Sequence, residues 1–123
     1  MTLSSLVVVL LAIGVVLLGF MAFLFWTDPA KGLRITTHRL ENLPTVMANR
    51  YTGLAVLSLG MILYGNYPII TVFFLSAAIM ALSDSMIYAR AGHSFIKHTA
   101  SGVLSVIGMI ISAIAWATTP VGG

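Results

Sequence analysis

The sequence has no cysteine and few charged residues, and both shortages narrow the classes of protein that it can encode. Without cysteine there are no disulfides, no thiolate metal sites and no cysteine nucleophile. Charged residues make up 7% of the 123 residues, whereas a soluble domain carries about 25%. Because 59% of the residues are hydrophobic, polar groups are too few to cover a soluble fold. The composition therefore predicts an integral membrane protein whose main solvent and partner is the lipid bilayer.

Four apolar segments follow one another along the chain, and each is long enough to cross a bilayer as a helix, which takes about 20 residues. The predicted spans are residues 3–26, 45–64, 69–90 and 95–118. The last three spans are joined by short turns, which make consecutive helices antiparallel neighbours. We therefore expect an all-α fold, an integral membrane up-down four-helix bundle that forms a single domain over residues 1–123.

The basic residues all lie on one side of this predicted bundle. The six lysines and arginines fall in or beside the first and third loops, at Lys31, Arg34, Arg39, Arg50, Arg90 and Lys97. Because cytoplasmic loops carry the excess of such residues, we expect both termini to lie outside the cytoplasm. The charge then belongs to loops, and no nucleic-acid partner is expected. The first loop, residues 27–44, also has room for a short interfacial helix.

Two charged residues lie inside predicted spans at similar depth. Arg50 is about 8 Å into the second span from its cytoplasmic end, and Asp84 is about 9 Å into the third span from the same side. Since an unpaired ion is unfavourable at membrane depth, we expect Asp84 to pair with Arg50, directly or through water. The alternative is that Arg50 extends to the headgroups while the carboxyl group of Asp84 is neutral.

Other polar side chains in the same half of the bundle extend this pair into a candidate site. Its ligand-binding residues would be Arg50, Asp84, Tyr88, His98, Asn49 and Tyr51. Such a cluster is typical of a structural latch between helices, which we favour, and also of a pocket open to the cytoplasm. In an enzyme, Asp84 or His98 would act as acid or base, and Arg50 would stabilise an anion or an oxygen.

The sequence contains no motif that indicates a bound cofactor. His93 and His98 are five residues apart and so lie on different faces of a helix, whereas haem needs two histidines that face each other. No glycine-rich phosphate loop and no serine nucleophile motif is present. We therefore expect no metal and no cofactor. Small drug/proton antiporters are similar in length, but their family pattern has an essential carboxylate in the first helix. The first span here contains none, which disfavours this class.

Rows of small residues indicate how the helices pack, since small side chains let backbones approach closely in lipid. The rows are Asn49, Gly53 and Gly60 in the second span, Ala77, Ala81 and Ser85 in the third, and Ser101, Ser105, Gly108, Ser112 and Ala115 in the fourth. We expect these rows at helix–helix contacts.

The segments "NRYTGLAVLSLGMILYG", "ALSDSMIYARAG" and "KHTASGVLSVIGMI" carry a family resemblance. They resemble a family of small four-helix bacterial membrane proteins of unknown function, distantly similar to DoxX-like proteins. The family pattern of Arg, Gly three residues later, Asp and His corresponds here to Arg50, Gly53, Asp84 and His98. The resemblance implies a four-helix multi-pass protein of the bacterial inner (plasma) membrane and, through DoxX, an accessory subunit of a quinone-reducing oxidoreductase.

Two functions of different classes follow from the sequence. The one we favour is an accessory or interaction subunit that packs against other subunits of a membrane complex, such as a redox complex. The alternative is a binder of, or an enzyme for, a lipophilic small molecule at the cluster of Arg50, Asp84 and His98. The sequence leaves enzymatic activity open, with a preference against it.

The predicted pair can be tested by substitution. Asp84→Asn should lower the free energy of unfolding, because it leaves the Arg50 guanidinium without its partner. Arg50→Leu combined with Asp84→Leu should be milder than the sum of the single changes, with a coupling of about 0.5–3 kcal/mol. A thermal-unfolding double-mutant cycle in detergent measures this coupling. Additive losses would show that the two residues do not interact.

Overall fold

Helices make up all the regular secondary structure in the described part of the chain. The computed structural model describes residues 2–120, apart from the side chains at positions 7, 10 and 14. Its elements are α1 (Leu3–Thr27), α2 (Pro29–Ile35), a 3₁₀ turn (Leu40–Asn42), α3 (Leu43–Tyr64), α4 (Tyr67–Arg90) and α5 (Ile96–Thr118). The four long helices are each apolar enough to cross a membrane. The all-α prediction and the four predicted segments are confirmed over these residues.

The helix boundaries fall at residues that favour them. The carboxylate of Asp28 caps α2, whose first residue is Pro29, and proline at this position sacrifices no helical hydrogen bond. The side chain of Asn66 caps α4 in the same way. After α4 the chain turns at Gly92, where φ is 76°, a value that glycine adopts without steric strain. Local chemistry thus sets where α2 and α4 start and where the chain turns after α4.

The structure divides into two units, Met1–Thr52 and Gly53–Gly123. In the first unit α2 folds back on the end of α1, and Gly32 is buried there. A Cβ atom at Gly32 would lie 3.0 Å from the ring of Phe25. The packing of α2 on the end of α1 therefore depends on a residue without a side chain at this position. The short helix that we expected in the first loop is therefore present, while its interfacial location stays a prediction, as does the single domain.

In the second unit α4 packs closely against α5, and we call this contact the seam. Gly102 and Ser112 are buried on the α5 side of the seam. The hydroxyl of Thr71 donates to the hydroxyl of Ser112 at 3.0 Å. Nearer the α4–α5 turn, the hydroxyls of Ser85 and Thr99 are hydrogen bonded to each other. Small residues and hydroxyl pairs of this kind are what joins helices in lipid, where apolar contact alone favours no partner.

The predicted rows of small residues are confirmed in part. The prediction for Gly53 and Gly60 on α3 is wrong within the described part of the chain, because nothing there lies within 4 Å of a Cβ atom at either position. Gly108 and Ser112 on α5 and Ser85 on α4 lie at the seam. Ser101 was expected there as well, but it is exposed, and the neighbouring Gly102 is buried in its place. The reason is geometric, because one residue along a helix is a rotation of about 100°. Side-chain size identified the right helix but not the right rotation at this turn.

Gly108→Ala tests the close approach of the two helices. A Cβ atom at Gly108 would lie 2.7 Å from the ring of Phe74, so the ring or the helix has to shift. We expect the free energy of unfolding in detergent to fall by about 1–3 kcal/mol, as for other overpacked sites. Gly60→Ala is the matched control, because nothing lies within 4 Å of a Cβ atom there. Equal stability of the two variants would contradict the seam as described.

Candidate functional site

The residues predicted for the site belong to both units. Asn49, Arg50 and Tyr51 lie on the part of α3 that belongs to the first unit, and all three are exposed. The remaining predicted residues lie on α4 and α5 in the second unit. The pairing of Arg50 with Asp84 stays a prediction from the sequence.

Asp84, Tyr88 and His98 come together in the second unit, and we call them the His98 cluster. The imidazole of His98 stacks on the ring of Tyr88, with ring centroids 4.8 Å apart and an interplanar angle of 8°. Nδ1 of the same imidazole lies 3.9 Å from Oδ2 of Asp84. That distance is too long for a hydrogen bond, so the contact is electrostatic, and it is an ion pair when the imidazole is protonated.

The seam positions this cluster. Asp84 directly precedes Ser85, and His98 directly precedes Thr99, so the hydrogen bond between the two hydroxyls fixes the register of the charged neighbours. Tyr88 follows Asp84 by one helical turn, and residues at this spacing lie on the same face. Ser85 is itself buried, with 9% of its surface exposed. The contact that joins the helices is therefore the hydroxyl pair, and the cluster lies beside it.

The His98 cluster is partly open on the flank of the seam. The side chains of His98 and Asp84 are 34% and 52% exposed. Both helices are apolar enough to cross a membrane, and an ionisable group within such a helix marks a functional site by default. A latch would bury these groups and saturate their hydrogen bonds. The open carboxylate is instead available to a hydrogen-bond donor or a cation.

An apolar groove lies between α4 and the part of α3 that belongs to the second unit. Its volume is about 320 Å³. From α3 it is lined by Leu54, Leu57 and Met61, and from α4 by residues that include Phe73, Ala77 and Met80. Nine side chains line it in all, and we call this site the α3–α4 groove. It is a site that the sequence did not reveal, because its residues are of the same types as those that face lipid.

The α4 wall of this groove leads to the His98 cluster. Phe73, Ala77 and Met80 follow each other at spacings of four and three, which keeps them on one helical face. A further step of four reaches Asp84, about 6 Å beyond Met80 along the axis. The groove and the open carboxylate are therefore successive parts of one surface of α4.

In residues 2–120, no group of three or more potential metal ligands among His, Asp and Glu is found. His93 also approaches Tyr88, with ring centroids 6.3 Å apart in an edge-on arrangement. The two histidines thus flank one aromatic ring. The expectation that the protein uses no cofactor stays a prediction.

Comparison with known proteins gives no match, whether to protein-family models, to curated proteins or to solved structures. The resemblance to the DoxX-like family therefore stays a hypothesis. The features that bear on function are the α3–α4 groove and the His98 cluster.

Proposed function

We propose that this chain is a polytopic membrane protein that binds a lipophilic small molecule in its second unit. The observation that carries the proposal is the α3–α4 groove, whose α4 wall continues to the open carboxylate of Asp84. An apolar cleft with a few polar groups at one end is the usual form of a small-molecule site, and such sites measure about 300–1,000 Å³. The volume of about 320 Å³ suits a small ligand.

The arrangement in the membrane is part of the proposal. An up-down four-helix bundle in a bacterial inner membrane is supported by the short connections between α3, α4 and α5. The six basic residues near the first and third loops favour an orientation with both termini outside the cytoplasm. In that orientation the His98 cluster lies in the cytoplasmic half, and the α3–α4 turn lies at the outer face.

The second candidate function is the accessory or interaction subunit of a membrane complex. It is favoured by α1, the most apolar of the four long helices, on which described side chains such as Leu3, Leu11 and Leu18 are exposed. Lipid satisfies such a surface, and so does a helix of another subunit. The resemblance to DoxX-like proteins supports a redox complex as the partner. The His98 cluster supplies groups for acid–base chemistry, but it does not by itself define a reaction.

Extraction of the protein together with its native lipid distinguishes between the two candidate functions. The protein is expressed in a bacterial inner membrane, released in polymer-bounded lipid discs and weighed by native mass spectrometry. We expect a one-to-one complex with a small molecule that survives removal of the annular lipid, because the groove shields an apolar ligand. Ser76→Phe, which fills the groove, should reduce the bound fraction about tenfold or more, as expected for blocking a fitted site.

Leu75→Phe is the matched control, since it adds bulk at a neighbouring residue of α4 that does not line the groove. It should retain the bound molecule. Stoichiometric copurification with a larger complex, without a bound small molecule, would contradict the binding proposal and favour the accessory subunit.

The orientation is tested with single cysteines, which the natural chain lacks. A membrane-impermeant thiol reagent added to intact spheroplasts should label Thr2→Cys and Thr119→Cys, because both lie at the outer ends of their spans. Thr37→Cys, in the basic first loop, should react only after the membrane is opened. Labelling of Thr37→Cys alone in intact spheroplasts would reverse the orientation.

A further inference from the structure

We infer that the ligand of the α3–α4 groove is a single-chain amphiphile whose protonated amine binds the carboxylate of Asp84. The inference rests on the proposed binding function and adds the chemistry of the two ends of the ligand.

The groove determines the chemistry of the tail. Ser76 brings a hydroxyl to the lining, but this hydroxyl donates to the carbonyl oxygen of Val72 at 3.0 Å. A polar ligand would lose its hydrogen bonds to water here without replacing them, which is unfavourable. An alkyl chain loses nothing. The volume of about 320 Å³ is at the small end of ligand sites, so one chain fits better than the two of a phospholipid.

The helical face determines where the head lies. A chain that follows Phe73, Ala77 and Met80 along α4 reaches Asp84 after one more turn, about 6 Å further. Its head then lies toward the α4–α5 turn and its tail toward the α3–α4 turn. The ligand is thereby oriented along the span, as a chain within one leaflet of a bilayer would be.

The open carboxylate determines the chemistry of the head. An ionised carboxylate only accepts hydrogen bonds, and Oδ2 of Asp84 is 3.9 Å from the nearest imidazole nitrogen of His98. It thus retains acceptor capacity on a side chain that is 52% exposed. An ammonium group supplies both the opposite charge and three donors, which makes the strong charge-assisted type of hydrogen bond.

An anionic head is the opposite choice, and the basic residues at the α4–α5 turn would favour it. However, Arg90 lies six residues beyond Asp84, about 9 Å further from the groove, and Lys97 is on the first turn of α5. Along α4, the carboxylate is the first charged group beyond the groove lining. Charge complementarity on this wall therefore favours the amine, which takes the place that the sequence predicts for the guanidinium of Arg50.

Matched probes test this inference in phosphatidylcholine nanodiscs. Dodecylamine, dodecanol and dodecyl phosphate each carry the same photoreactive group at the end of the chain, and labelled peptides are identified by mass spectrometry. We expect the amine to label the groove segments of α3 and α4 about tenfold more than either other probe. This factor is the lower end of what a hydrogen bond to a charged group contributes.

Variants assign the preference to its source. Asp84→Asn should reduce amine labelling to the level of the alcohol, whereas Asp84→Glu, which keeps the charge, should retain most of the preference. Asp28→Asn removes a carboxylate of the first unit and should change nothing. Ser76→Phe should abolish labelling of the groove by amine and alcohol alike, and Leu75→Phe should not. Thermal unfolding verifies that each variant is folded.

The outcomes distinguish the inference from the function on which it rests. Equal labelling by amine and alcohol, unchanged in Asp84→Asn, would overturn the amine head and leave the groove as a binding site. Preference for the phosphate would also overturn it. Loss of amine labelling when phosphatidylethanolamine replaces phosphatidylcholine would show that a two-chain lipid occupies the site, and this would overturn the single-chain ligand. Labelling that Ser76→Phe does not reduce would overturn both the inference and the proposed function.

Discussion

The hydrogen bond between the hydroxyls of Ser85 and Thr99 is the interaction on which the arrangement of the candidate site depends. In lipid, apolar side chains gain nothing by choosing another helix over an acyl chain, so close backbone approach and polar pairs have to select the partner. This pair does so one residue away from Asp84 and from His98. The register of the two ionisable groups is therefore a consequence of the seam.

The hydroxyl groups and the ionisable groups of the second unit have different roles. From the sequence, polar groups gathered in one half of the spans slightly favoured a latch over a pocket. Between α4 and α5 the structure gives the joining role to Ser85–Thr99 and to Thr71–Ser112. The Asp84 carboxylate, half exposed and beyond hydrogen-bond distance of His98, contributes little to joining α4 to α5, while its predicted pairing with Arg50 stays a prediction. This supports the interpretation of the cluster as a site for something outside the described contacts.

The sequence predicted the helices well because the bilayer imposes their length and apolarity, and because Pro29, Asn66 and Gly92 interrupt them in recognisable ways. It also predicted that Asp84, Tyr88 and His98 belong together. It could not separate Ser101 from Gly102 at the seam, since both are small and only the rotation of α5 decides between them. Nor could it reveal the α3–α4 groove, because residues such as Leu54 and Met80 have the same character whether they face a cleft or lipid.

The helix α4 connects stability and binding in this protein. Ser85 faces α5, whereas Asp84, one residue earlier, is rotated by about 100° toward the face that carries Ala77 and Met80. A single turn thus supplies one residue to the seam and one to the mouth of the groove. Any change that rotates or tilts α4 at the seam moves the carboxylate and the α4 wall of the groove together, relative to the α3 wall. Substitutions at the seam should therefore alter ligand recognition even though no seam residue lines the groove, and the two properties are expected to change together.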